Sequence, residues 1–99
     1  MAASETTTFV ASEKTVSTAG TSEPLSSTSQ RVKSLTLIAK AGNTGQVYVG
    51  GSDVSSTTND GLAAGESLSI PAISWLDLSN VYIDVDTNGE GIDFYAVKA

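Results

Sequence analysis

The chain has no cysteine and no histidine among its 99 residues. Without thiols there is no disulfide framework and no sulfur nucleophile, which removes the class of small secreted domains stapled by bridges. Without imidazole the usual general base, the usual activator of a nucleophile and the commonest transition-metal ligand are all missing. A structural zinc site is built largely from those two residue types and has nothing to draw on here. Basic residues are scarce as well. Five of them, Lys14, Arg31, Lys33, Lys40 and Lys98, stand against eleven acids, for a net charge of −6. A nucleic-acid interface needs clustered Lys and Arg, and an anionic membrane repels a charge of this sign, so neither is expected as a partner. No apolar run approaches the ~20 residues of a membrane span. Met1 is followed by Ala2, Ala3, Ser4 and Glu5, without the basic start and apolar stretch of a signal peptide. These absences predict a soluble protein made in a cytoplasm, which leaves it by assembly or by lysis.

What is present is alternation. From Leu35 onward the sequence reads LTLIAK, AGNTG, QVYVGG, a polar loop, ESLSI, NVYIDVD, TNGEG and IDFYAVK. Apolar residues recur at every second position, the mark of strands with one face in a core and one in water. Gly, Asn, Asp and Ser fill the gaps, as tight turns require. Strands are predicted near Val32–Lys40, Gln46–Gly50, Ser67–Ile70, Val81–Asp86 and Ile92–Lys98. No stretch has a helical period, and no internal repeat signals a solenoid. Short, evenly spaced strands predict an all-β fold, a small antiparallel β-sandwich or barrel, jelly-roll-like, of about six to eight short strands. A chain of this length makes one domain with a modest core.

Two regions differ in character. Residues 1–30 are dominated by Ser and Thr, with Phe9, Val10, Val16 and Leu25 as their few large apolar residues, and read as an N-terminal arm, partly extended or strand-forming. Phe9 would anchor a strand within TTFVASEKTVS, and Pro24 would break any strand and mark a turn before the regular domain, 31–99. In the regular domain, Asn88-Gly89 predicts a two-residue type I′ hairpin. Val85 would then face Ile92, Asp84 would face Asp93, and Ile83 would face Phe94. That register places Val81, Ile83, Val85, Ile92, Phe94 and Ala96 on the core face. Tyr82, Asp84, Asp86, Asp93, Tyr95 and Val97 share the outer face.

No constellation declares a chemistry. Asp84-Val85-Asp86-Thr87-Asn88-Gly89 opens like an EF-hand loop, but Tyr95 stands where the bidentate Glu belongs and no helix flanks it. A hairpin with solvated acids is the plainer reading. If a calcium ion were bound, Asp84, Asp86 and Asp93 would be the first ligands, relieving the repulsion between Asp84 and Asp93. The same carboxylates are no basis for a glycosidase, since so short a chain builds no sugar cleft. Gly50-Gly51 and Gly61 to Gly65 lack the Gly-Lys-Ser/Thr of a phosphate loop and read as turns. Trp75, in PAISWLDLSN, reads as a lid on the core or as an exposed anchor for a partner or a sugar. No catalytic, cofactor or metal residues are therefore assigned, and no enzyme activity is expected.

The wording of LTLIAKAGNTGQVYVGGSDVSS, NDGLAAGESLSI and LSNVYIDVDTNGEGIDFYAV resembles a pattern found in small virion proteins of tailed bacteriophages. The resemblance spans Leu35 to Val97. It covers an N-x-G-x-V-Y-V-G segment, an L-x-x-G-E-S turn, an L-S-x-V-Y-I-D strand and a G-E-G turn before an aromatic last strand. It implies a capsid decoration (cement) protein that binds the assembled head and bridges major capsid subunits. Its partners would then be the major capsid protein or other virion proteins, with self-association, a trimer first, and a virion location. The alternative is a carbohydrate- or receptor-binding β module of a fibre, with an exposed aromatic patch drawn from Trp75, Tyr82 or Tyr95.

Overall fold

The computed structural model describes residues 9–71 and 75–99. Among the described residues eight strands follow one another: β1 (Phe9–Thr15), β2 (Glu23–Pro24), β3 (Arg31–Ala39), β4 (Val47–Gly50), β5 (Ser67–Ile70), β6 (Leu76–Asp77), β7 (Tyr82–Val85) and β8 (Gly91–Lys98), with a 3-10 turn at Leu78–Asn80 before β7. The five strands read from alternation fall within a residue or so of their expected bounds.

The strands form two antiparallel sheets packed face to face. The larger has the order β1-β8-β3-β5, with β6 also pairing to β3, and the smaller has the order β2-β7-β4. The pairs run β1 with β8, β2 with β7 and β3 with β5 and β6, while Val47 of β4 bridges to Leu62. The first half of the chain is thus wound antiparallel against the second, as a long ribbon rolled into two layers. That is a small antiparallel β-sandwich.

The core is the set of inward positions. β3 contributes Val32, Leu35, Leu37 and Ala39, β8 contributes Ile92, Phe94 and Ala96, and the facing sheet contributes Val47, Ile83 and Val85. Leu78 and Val81 close one end. Each fully buried aliphatic side chain contributes roughly 1.5–3 kcal/mol. Among the described residues, no buried side-chain polar atom lacks a hydrogen-bond partner.

One sequence expectation is corrected and two are refined. β7 and β8 do not form a hairpin: β7 pairs with β4 and β2, and β8 with β1 and β3, so TNGEG is an arch from one sheet to the other. A type I′ turn needs positive φ at both central residues, and only Gly89 (φ +84°) has it. The Glu90 N–H donates to the Thr87 carbonyl (3.2 Å), the Gly89 N–H to the Val16 carbonyl (2.7 Å), and Asn88 Oδ1 accepts from the Ala19 N–H (2.7 Å). The six predicted core residues are nevertheless all buried, because they face one another across the sandwich instead of lying side by side. Second, within the stretch read as an N-terminal arm, residues Phe9–Thr15 form β1, which adds to β8 in register, and Val16 and Leu25 belong to the same core. Third, a strand does reach Pro24, but it ends there after two residues. Pro24 sits in this edge strand β2 opposite Tyr82, at the sheet margin where a missing N–H costs least.

Gly91 opens β8 where β1 crosses closest. A Cβ there would lie 2.0 Å from the Lys14 carbonyl oxygen and 2.7 Å from Thr15 Cα, both backbone atoms that cannot turn aside. Gly42, by contrast, has nothing within 4 Å of its would-be Cβ. Gly91→Ala is expected to destabilise by roughly 1–3 kcal/mol or more, and Gly42→Ala by no more than about 0.5 kcal/mol. Urea denaturation midpoints of the two variants check this.

Candidate functional site

The register of the larger sheet fixes what its outer face presents. One row runs Phe9, Val97, Ser34, the next Ala11, Tyr95, Thr36, Ser69, and the third Glu13, Asp93, Ile38, Ser67. The face is a flat mixture of aromatic, aliphatic and hydroxyl groups. Phe9 is 60% exposed and Tyr95 41%, and their rings stack with centroids 6.3 Å apart and planes 23° from parallel. Thr36 Oγ1 lies 3.4 Å from Ser69 Oγ.

Charge on this face is compensated at one end and open at the other. Lys40 reaches over the third row and donates to Asp93 Oδ1 (2.7 Å) and to Glu13 Oε1. The Asp93 and Glu13 hydrogen bonds hold its ammonium above the ordinary lysine range. At the opposite end the Arg31 guanidinium lies 4.2 Å over the ring of Trp75, which is 51% exposed. Between β3 and the ends of β5 and β6 is a hollow of about 120 Å³ floored by Ile70, Pro71 and Leu76, with Lys33 and Ser34 at its edge and Trp75 beside it.

The acids singled out in the sequence are dispersed. Asp84 is 2% exposed on the smaller sheet, where its Oδ1 accepts from the N–H groups of Gly20 (2.9 Å) and Val85 (2.8 Å). Asp86 follows just past the end of β7. It accepts from the Gln46 N–H (3.1 Å) and from the Tyr48 hydroxyl at 3.0 Å to each oxygen. Burial and the neighbouring Asp86 raise the phenol of Tyr48 above its ordinary value. Asp93 lies on the other sheet with Lys40, so the opposed pair Asp84–Asp93 that a cation would have relieved does not form. No cluster of three potential metal ligands occurs among the described residues. The aromatic patch divides in the same way. Tyr95 belongs to the larger sheet and Trp75 immediately precedes its strand β6, while Tyr82 is half-buried in the smaller sheet beside Pro24 and Gly50.

Sequence reasoning missed the Lys40 clamp, the Tyr48–Asp86 pair and the Arg31–Trp75 stack. Their partners are far apart in the chain, and no local spacing marks them. Phe9 was visible as an anchor, but its partner Tyr95 was not. Comparison with family models, with curated proteins and with solved structures finds no match to this chain.

Several carboxylates are tied to neutral donors. Asp77 caps the 3-10 turn, and the Ser29 hydroxyl, the Gln30 N–H and Ser79 hold its carboxyl far below the usual range. The N–H groups of Gly45 and Thr44 hold Glu90 low as well. Depressed folded values stabilise the protein above the unfolded values of about 3.9 and 4.3 and lose that stabilisation as pH falls through the folded ones. The melting temperature is expected to stay level between pH 7 and about 5 and to fall below about pH 4. Asp77→Asn and Glu90→Gln should each flatten that acid limb in a melting series from pH 7 to 2.

Proposed function

We propose that this chain is a structural protein of a tailed-phage virion, a capsid decoration protein that docks on the assembled head and stabilises it by bridging major capsid subunits. The outer face of the larger sheet carries this reading. It bears Arg31, Lys33 and Lys40 against Asp77, Glu13 and Asp93, close to neutral in a chain whose net charge is −6. Stacked Phe9 and Tyr95 stand on it in water. A monomer that only needs solubility gains nothing from exposing two stacked rings, and exposed apolar patches mark interaction surfaces. Flat sheet faces with hydroxyls and aromatic anchors suit docking on a protein lattice, where many weak contacts add through avidity.

The absence of an assigned nucleophile–base pair or metal cluster among the described residues leaves a binding role as the simplest use of the scaffold. Two-sheet β folds serve both viral shells and lectins, so the fold admits the alternative of a fibre module for glycans or receptors. The half-exposed Trp75 favours that alternative. Against it, Arg31 covers part of the ring and Tyr82 is on the other sheet.

Light scattering on the purified protein is expected to give a homo-oligomer, with a trimer as the first expectation, and the protein should pellet with empty phage capsids at saturating stoichiometry. Tyr95→Glu puts a charge in the docking face without touching the core and is expected to weaken co-sedimentation by tenfold or more, about 1.4 kcal/mol per tenfold. A folded monomer that ignores capsids would overturn the proposal.

A further inference from the structure

We infer that the end of the larger sheet bearing Arg31, Lys33 and Trp75 is a docking site for an acidic protein segment that places one aliphatic side chain in the hollow between Ile70, Pro71 and Leu76. The inference deepens the decoration reading by naming the partner's chemistry, and it rests on that reading only for where the segment comes from.

The distribution of the five cations carries the argument. Among the described residues, Lys14 is paired with Glu23 (2.9 Å), and Lys40 with Asp93 and Glu13. Arg31, Lys33 and Lys98 have no ion pair there, and all three lie at one end of the larger sheet, where Arg31 pairs with Asp77 and Val32 with Lys98 and Leu76. The nearby carboxylate of Asp77 is already engaged by Ser29, Gln30 and Ser79. An acidic chain has thus gathered its unpaired positive charge at a single place.

The backbone is shaped to the same end. The β3–β8 register slips between Val32 and Ser34, so Lys33 is the extra residue of a bulge. Strict alternation would turn Ser34 inward between Val32 and Leu35. The bulge instead keeps Lys33 and Ser34 both outside, at the lip of the hollow. Arg31 meanwhile lies over Trp75, and stacking orients its guanidinium while leaving donors free for a carboxylate. The hollow is apolar apart from Ser34 and Lys33. An aliphatic side chain flanked by carboxylates satisfies both its walls and its rim, whereas a sugar would leave its hydroxyls without partners. Val97 pairs with both Ser34 and Phe9, so the site is continuous with the stacked aromatic patch.

Trp75 is the only tryptophan and reports on the site directly. The probe is the pentapeptide Asp-Glu-Leu-Glu-Asp, blocked at both ends and titrated into the full chain while Trp75 emission is followed. A saturable change is expected. It should weaken at least about tenfold in Lys33→Glu, weaken on raising salt from about 0.05 to 0.5 M, and vanish when the peptide's acids are replaced by Ser. Lys33 is an exposed bulge residue, so its variant should keep the wild-type circular dichroism. Lys98→Glu serves as the second variant if it does not. No saturable change, equal binding of the Ser peptide, or tighter binding of an oligouronate or an oligonucleotide would overturn the inference. Capsid co-sedimentation separates the two readings. If the wild type and Lys33→Glu pellet equally, this site is wrong while decoration stands. Peptide binding without pelleting supports the site and removes the decoration reading.

Discussion

The antiparallel ladder between β3 and β8 is the constraint on which the rest of the molecule depends. These are the central strands of the larger sheet, flanked by β1 on one side and by β5 and β6 on the other. Their inward residues, Leu35, Leu37, Ala39, Ile92, Phe94 and Ala96, form the layer on which the smaller sheet rests. Their outward residues set Thr36 beside Tyr95 and Ile38 beside Asp93. Because side chains alternate with a period of two, a slip of one residue would expose Leu35 and Phe94 and bury Tyr95 and Thr36. Core and outer face are therefore specified together, by one register. The single departure from that register is the bulge at Lys33, at the site assigned to the acidic segment.

Alternation made the fold class and the faces of the strands readable, and it could not show which strand lies beside which. Val85 and Ile92 point into the same core whether they are neighbours in a hairpin or opposed across a sandwich. The choice between those arrangements is made by non-local pairing, with β1 on one edge of β8 and β3 on the other. Asn88-Gly89 is a strong local signal, but the arch uses it differently: Gly89 supplies the one positive φ and Asn88 ties the arch to Ala19. The misplaced opposition of Asp84 to Asp93 follows from that one error. A strand around Phe9 was legible, but its partner was not: as an edge strand β1 buries little, and only Val10 and Lys14 along it are more than surface groups.

The acids show why composition alone misleads about a site. Much of the negative charge is bound to backbone and hydroxyl donors that hold the loops: Glu90 grips Thr44 and Gly45, Asp86 grips Gln46 and Tyr48, and Asp77 grips Ser29, Gln30 and Ser79. Such carboxylates act as structural acceptors, and their pairing with neutral donors leaves the net charge in place. A net charge of this sign favours solubility, while the outer face of the larger sheet is itself close to neutral. The charge of the whole and the charge of the contact surface are separate quantities, and the fold sets the second.

How the edges are closed bears on how this molecule can associate. Exposed strand edges invite pairing with other chains. Here β1 carries Glu13 and Lys14, and Pro24 removes a donor from the edge strand β2. β4 is covered by the Val47–Leu62 bridge and by the Asn59 amide, which donates to the Val49 carbonyl at 3.1 Å. β5 is only four residues long. Charge, proline, a covering loop and brevity are the devices by which sheet proteins avoid edge-to-edge growth. The outer face of the smaller sheet is crossed by the loops that bring Gly20 to Asp84 and Ser22 to Ser52, so among the described residues the outer face of the larger sheet is the broader uncrossed surface. Association through a face rather than an edge gives a closed and countable contact.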